Sequence, residues 1–300
     1  MKKSIFFFSL IFIVHTIHAG GWLQGEDKGF FKVNQSIIKG NQFYDGNGDI
    51  IDIVTIGVYQ TSFYGEYGFS KKIDGIAYLP FLSRVTLNDA LFSDGRFQRG
   101  DELTSIGDAQ IGIKYGIRQD KPLVISASFL LGIPLGNDAG GETGVLQTGD
   151  GELNQLLMLD FGYGFSIGKS SAYANLGVGI NNRSKGFSEE FRTTAELGIV
   201  SPNEKWIIAA KLSSVQSFMN GEPEGSAGQG VFSNNLEYIS FGPEISYLFS
   251  KNFGITTSIQ GAFQGQFILA EPSYNFGIFW KRAQKAPKRK LKLQEEEPTE

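Results

Sequence analysis

The chain has 300 residues, with 39 Gly, 26 Phe, 11 Tyr, 3 Trp, 9 Pro and no Cys. Glycine, at about 13%, is well above the roughly 7% of average usage, while mean hydropathy is only -0.12, a profile that speaks against a helical membrane bundle. A formal charge of -4 gives no footprint for nucleic acid, and zero Cys removes disulfides, thiolate catalysis and cysteine-held metal.

Lys2 and Lys3 precede an apolar run from Ile5 to Val14 and small residues near Ala19, the pattern of a secretory signal peptide over residues 1–19. The run is short for a bilayer core, which needs about 20 apolar residues. Both histidines, His15 and His18, fall inside it. Cleavage would leave 25 basic against 31 acidic side chains, a charge of -6, with neither His nor Cys. Serine-histidine hydrolysis, imidazole-held zinc and cysteine nucleophiles are then unavailable, so no enzyme, no catalytic residue, no metal and no cofactor is expected.

From residue 29 the chain alternates. Ala109, Ile111, Ile113, Tyr115 and Ile117 share one face, opposed by Asp108, Gln110, Gly112, Lys114, Gly116 and Arg118. The same period recurs over 172–181, 190–199 and 253–264. Strands are predicted to start near 29, 54, 73, 107, 122, 154, 172, 190, 206, 236, 253 and 270. Very short joins fall around Ser70-Lys71, Asp120-Lys121, Lys169-Ser170, Asn203-Glu204 and Ser250-Lys251. Longer Gly-rich joins lie near 40–53, 84–106, 135–153, 183–189, 218–235 and 266–269. Strict alternation of short and long joins predicts an all-β, antiparallel transmembrane barrel over residues 20–281, of about 12 strands, with short periplasmic turns and long extracellular loops. Trp22, Trp206 and Trp280 then fall at periplasmic strand ends, where an aromatic interface girdle is expected.

The inward faces are expected to carry Glu66, Asp108, Lys114, Asp160, Glu190, Arg192, Glu196, Lys211, Glu237 and Glu244. Around water they would line a channel; paired with one another, they would zip the lumen shut. Pro80, Pro134 and Pro243 cannot donate to a strand ladder, so each marks a kink, and Pro243 in particular either a lateral opening or a bulge that only bends the wall. Asp45-Gly46-Asn47-Gly48-Asp49 resembles the start of a calcium loop but has Ile50 where the sixth-position glycine belongs, and reads as a hairpin tip. Asn137, Asp138, Glu142 and Asp150 read as a solvated loop. Residues 282–300 run from basic to acidic with little apolar content, the composition of a disordered periplasmic tail that could meet a partner there.

Two stretches carry a family resemblance. One is Phe63-Tyr64-Gly65-Glu66-Tyr67-Gly68-Phe69 with Ile73-Asp74 and Tyr78-Leu79-Pro80-Phe81; the other is Gly107-Asp108-Ala109-Gln110-Ile111-Gly112 with Lys114-Tyr115 and Gly132-Ile133-Pro134-Leu135-Gly136. The chain resembles the Gram-negative outer-membrane family named for the meta-pathway of phenol degradation, distantly akin to FadL-like transporters. The resemblance implies a barrel in outer-membrane lipid that passively admits small, apolar or aromatic solutes. The alternative is a closed structural or docking barrel. Unlike the FadL-like proteins with their sizeable plug, only Gly20 to Lys28 precede the first strand here, and residues follow the closing strand with its Tyr274, Phe276, Ile278 and Trp280.

Overall fold

The computed structural model describes residues 20–91, 93–221 and 234–283; the expected signal peptide, and the tail from residue 284 on, lie outside the described residues. Twelve strands form the wall: β1 Gly29–Tyr44, β2 Ile50–Gly68, β3 Ile73–Leu87, β4 Ala109–Arg118, β5 Leu123–Ile133, β6 Asn154–Ile167, β7 Ser170–Arg183, β8 Glu190–Val200, β9 Trp206–Ser217, β10 Glu237–Leu248, β11 Phe253–Gln266 and β12 Ser273–Arg282. A short strand, Asp101–Ser105, leads into β4 and pairs with the upper part of β3. Each strand runs antiparallel to its neighbours, and β1 pairs with both β2 and β12, so that Phe31 stands opposite Gly65 on one side and Trp280 on the other. Closure leaves no free sheet edge, a requirement in lipid because nothing there satisfies unpaired backbone groups.

Side-chain alternation decides which face meets lipid. Along β4, Ile111, Ile113, Tyr115 and Ile117 are 48, 58, 47 and 54% exposed, whereas the intervening Lys114 is 2% exposed. The same division holds on β11, where Phe253, Ile255 and Ile259 face outward and Thr256 and Ser258 are buried within. In water such a continuous apolar exterior would cost roughly 25 cal/mol per Å2; in a bilayer it is the favoured solvent-facing surface. The chain is an outer-membrane barrel.

The five short joins occupy 69–72, 119–122, 168–169, 201–205 and 249–252, at the end where Gly29 pairs with Arg282. That end is the periplasmic one. The first outer join is shorter than the alternation suggests: the ladder between β1 and β2 continues to Tyr44 opposite Ile50, and only residues 45–49 turn. Asp45 Oδ1 accepts the N–H groups of Asn47 (2.8 Å) and Asp49 (3.0 Å), and Gly48 takes the positive φ of 83° that the turn requires. Strands that project past the membrane have water on both faces and lose their apolar period, which is why residues 40–53 read as a loop.

The prolines occupy three different settings. With β3 reaching Leu87, Pro80 is mid-strand, and it is fully buried. Pro134 follows Ile133, just beyond β5. Pro243 sits inside β10, between the pairs Phe241–Gly261 and Glu244–Ser258, which share one register; the shift between β10 and β11 lies at Ile239/Ser240.

Candidate functional site: the lumen

At the periplasmic end the nine residues Gly20 to Lys28 do not hang below the barrel; they turn up into it. The Leu23 N–H donates to Gln119 Oε1 (3.1 Å), and Gln119 Nε2 donates back to the Gly21 carbonyl (2.7 Å). The Gln24 N–H donates to Asp74 Oδ2 (2.6 Å) and its Nε2 to Glu66 Oε2 (2.8 Å). The entry bend needs glycine twice, because Gly25 has φ 84° and a Cβ on Gly68 would stand 1.9 Å from the Gly25 carbonyl oxygen.

Trp22 is therefore not part of an interface girdle. Its ring lies over Gly162, where a Cβ would approach it to 2.6 Å, and meets Tyr173 edge-on at 6.4 Å. Both rings belong to an apolar floor with Phe30, Val200, Ile207, Leu248 and Phe279. Trp206 and Trp280 do face outward: Trp206 packs 4.6 Å from Tyr247, and Trp280 stacks on Phe31 at 5.4 Å. The indole preference for interfaces suggested a common role for all three. Hydrogen bonds to Asp74, Glu66 and Gln119, which no local pattern reveals, draw Trp22 inward instead.

Above the floor lie two ionic clusters. Glu66 and Lys114 are both buried, with Lys114 Nζ 3.4 Å from Glu66 Oε1, and the Tyr64 hydroxyl donates to the same carboxylate. Asp160 accepts from Ser128 Oγ at 3.2 Å. Across the lumen, Lys211 reaches Glu244 at 2.8 Å and Glu196 at 3.7 Å, and Glu196 also accepts the Tyr173 hydroxyl at 2.6 Å. Removing one member of a buried pair leaves an uncompensated charge, at a cost of about 3–5 kcal/mol. Lys114→Met should lower the urea midpoint of the refolded barrel accordingly, and adding Glu66→Gln should recover most of the loss. An unchanged midpoint in the single variant would mean that water reaches Glu66.

A third cluster closes in at the outer mouth. Arg183, 5% exposed, is shared by three carboxyl groups: Nε donates to Glu152, Nη1 to Glu190 (2.8 Å) and Nη2 approaches Asp150 (3.5 Å). Arg192 pairs with Glu190 at 2.6 Å, and Asn181 Nδ2 donates to Glu190 (3.0 Å) and Asn154 (2.7 Å). Asp108 holds the loop over 134–153 in place by accepting the N–H groups of Gly136 (2.8 Å) and Asp150 (2.7 Å). Asp101 grips the same loop at the Thr143 hydroxyl (2.6 Å) and the backbone N–H groups of Thr143 and Glu142, and these donors hold its carboxyl down at about 2.

Burial disfavours the charged form of Asp108 and Glu152, pushing Asp108 up to about 6 and Glu152 to about 8. Glu152 is thus largely protonated at pH 7 and meets Arg183 as a hydrogen-bonded neutral acid. A carboxyl whose pKa is raised on folding stabilises the fold while protonated. That contribution is complete below about pH 4 and is lost as pH rises through about 6 for Asp108 and about 8 for Glu152. The melting temperature in detergent should therefore fall between about pH 4 and 8 and level off above, and Glu152→Gln, a neutral stand-in, should flatten the part of that slope above about pH 6, where Asp108 has already titrated. An equal slope in the variant would contradict the assignment.

Of the ten expected lumen residues, Glu66, Lys114, Asp160, Glu190, Arg192, Glu196, Lys211 and Glu244 join these clusters, and Asp108 anchors the mouth. Glu237 differs: it shares the strand parity of the outward-facing Phe241 and stands at the rim, accepting the Ser217 N–H at 3.0 Å. Arg183, Glu152, Asp74 and Tyr64 are additional. Arg183 shares parity with Tyr173 and Asn181, a signal masked by placing residue 183 in a loop.

Residues 37–266 match the family model described as putative MetA-pathway of phenol degradation. The chain belongs to this family. Its fold is similar to the COG4313 outer membrane channel from Pseudomonas putida F1, at TM-score 0.55 and 14% identity over 86% of this chain and 95% of that one. It is also similar to the NanC porin, at TM-score 0.48 and 8% identity over 83% and 98%. No curated protein matches it in sequence.

Proposed function

We propose that this member of the phenol-degradation family is an outer-membrane channel for passive passage of small apolar, including aromatic, solutes, which enter at the outer mouth and leave sideways through the wall beside Pro80. There is no energy input and no covalent step. One observation carries the exit route. The ladder from β3 reaches β4 only up to Tyr78 opposite Gln110 and resumes at Ser83 opposite Ser105. Across Leu79 to Leu82, a single bond from the Gly107 N–H to the Pro80 carbonyl (2.8 Å) spans the interval. Pro80 presents that carbonyl to β4 without the N–H that would normally accompany it. Phe81 and Leu82 open this stretch to lipid, and Asp108, the next residue after Gly107, ties it to the mouth loop.

Pro243 fits a gate less well. Gly242 is pressed against β11 so closely that a Cβ would lie 1.8 Å from the Ile259 carbonyl oxygen, and the register is the same on both sides of Pro243, so the two strands are not parted there.

Pro80→Val supplies the missing donor. Uptake of a radiolabelled aromatic hydrocarbon by cells producing this variant should fall toward that of cells lacking the protein, while Pro243→Val should leave it unchanged. Full uptake with Pro80→Val would overturn the exit route. The pairing of lumen charges favours a second reading, a closed barrel, and the same assay separates the two: no uptake by the unsubstituted protein supports closure.

A further inference from the structure

On the lipid-facing side of β2, β3, β4 and β5 lies an apolar groove of about 490 Å3, within the roughly 300–1,000 Å3 of small-ligand sites. Register explains it. Gly65 stands opposite Ala77, and Gly75 lies opposite Tyr67 on one side and Ile113 on the other. Small residues thus adjoin across β2 and β3 and leave a depression in the lipid face. The trough is walled by Phe31 and Phe63 at one edge, by Ile111 and Phe129 at the other, and by Phe69, whose ring folds over Gly75.

The periplasmic end of this trough is basic. Lys71 and Lys72 stand exposed in the β2–β3 turn, Lys121 stands exposed in the β4–β5 turn, and Arg118, whose Nε donates to the Leu123 carbonyl at 2.9 Å, precedes it. The Gly116 N–H donates to the Lys72 carbonyl at 2.9 Å, fastening the two turns side by side. None of the four cations forms an ion pair among the described residues. Arg282 adds a fifth, over the Tyr67 ring at 5.2 Å. Asp120 is the acid in these turns, and Asp27, nearby, accepts the Tyr67 hydroxyl. The other three short turns hold Lys169, Glu204 with Lys205, and Lys251, no more than one net positive charge each.

An apolar trough in the inner half of the bilayer with unpaired cations at its headgroup end matches one molecule in both chemistry and depth. We propose that this groove holds an acyl chain of an anionic glycerophospholipid of the periplasmic leaflet, with its phosphate on Lys71, Lys72, Arg118 and Lys121. Hydrocarbon fills the floor left by Gly65, Gly75 and Ala77, while the cations sit where anionic headgroups attract Lys and Arg most strongly.

Trp280 reports on the site, since it stacks on Phe31 and lies 6.2 Å from Phe63. In a Trp206→Phe background the remaining tryptophans are Trp280 and the enclosed Trp22. The protein is reconstituted in phosphatidylcholine vesicles containing either brominated phosphatidylglycerol or brominated phosphatidylcholine at increasing mole fraction. Half-maximal quenching should need about tenfold less of the anionic lipid. Lys71→Gln with Lys72→Gln should merge the two curves, and Ala77→Phe, which fills the trough, should weaken quenching by the anionic lipid. Coincident curves in the unsubstituted protein would mean ordinary surrounding lipid only and would overturn the site. Quenching lost with rising protein-to-lipid ratio would put a second copy of the chain in the groove, also overturning it.

Discussion

Replacing Arg183 with methionine is expected to destabilise the barrel by about 3–5 kcal/mol and to release the loop over 134–153 from the mouth. The guanidinium is the common partner of Glu152, Glu190 and Asp150, and it is almost wholly buried. Without it, Arg192 alone faces two carboxylates, Glu152 loses its donor, and each orphaned group costs a further fraction of its desolvation energy. Urea titration of the folded barrel reads the stability change. Protease sensitivity of the loop reads its release, because Asp108, Asp101, Ser184 and Lys185 are then left to hold it without the buried guanidinium. Glu152→Gln, which keeps a neutral group against Arg183, should cost far less at pH 7. Equal losses in the two variants would mean that Glu152 is ionised there.

Deleting Gly20 to Gln24 should have the largest effect on conductance. These residues fill the lumen between Gly162, Gln119 and Asp74, and Trp22 supplies one of the two partly buried rings that complete the apolar floor. Their loss also removes the Gln24 donors of Asp74 Oδ2 and Glu66 Oε2, while Lys114 and Tyr64 still hold Glu66 Oε1. Water would follow into that polar space. Planar-bilayer recordings of the intact protein should show little ion current, and the deletion should raise it severalfold. A current already large in the intact protein would show that the segment does not stop the lumen.

Period and turn chemistry made the wall legible. Ten of the strand starts expected from alternation fall within two residues of the observed ones, because a membrane strand must put Ile, Leu or Phe outside at every second position; the other two, near 54 and 270, lie where strands lengthen or break. The five short turns are equally visible, being tight and polar. What alternation does not encode is contact across the lumen. Trp22 reads as an interface residue until Gln24 and Leu23 are seen bonded to Asp74 and Gln119, which lie 50 and 96 positions away. Arg183 and Glu152 lie at strand and loop margins where the period fades, and their partnership spans 31 residues. The inward charges on single strands were recognisable as such. That they gather into two clusters above an apolar floor and a third at the mouth depends on strand stagger, which no one strand carries.

The exit route can be tested by locking the floor. The chain has no cysteine of its own, so Leu23→Cys with Gly116→Cys introduces one pair, at positions where a Cβ on Gly116 would lie 3.2 Å from Leu23 Cγ. Uptake of a radiolabelled aromatic hydrocarbon is then compared with the pair oxidised and reduced. Exit through the wall beside Pro80 requires equal uptake in both states. Uptake lost on oxidation and regained on reduction would mean that solutes leave through the floor, past a displaced amino-terminal segment.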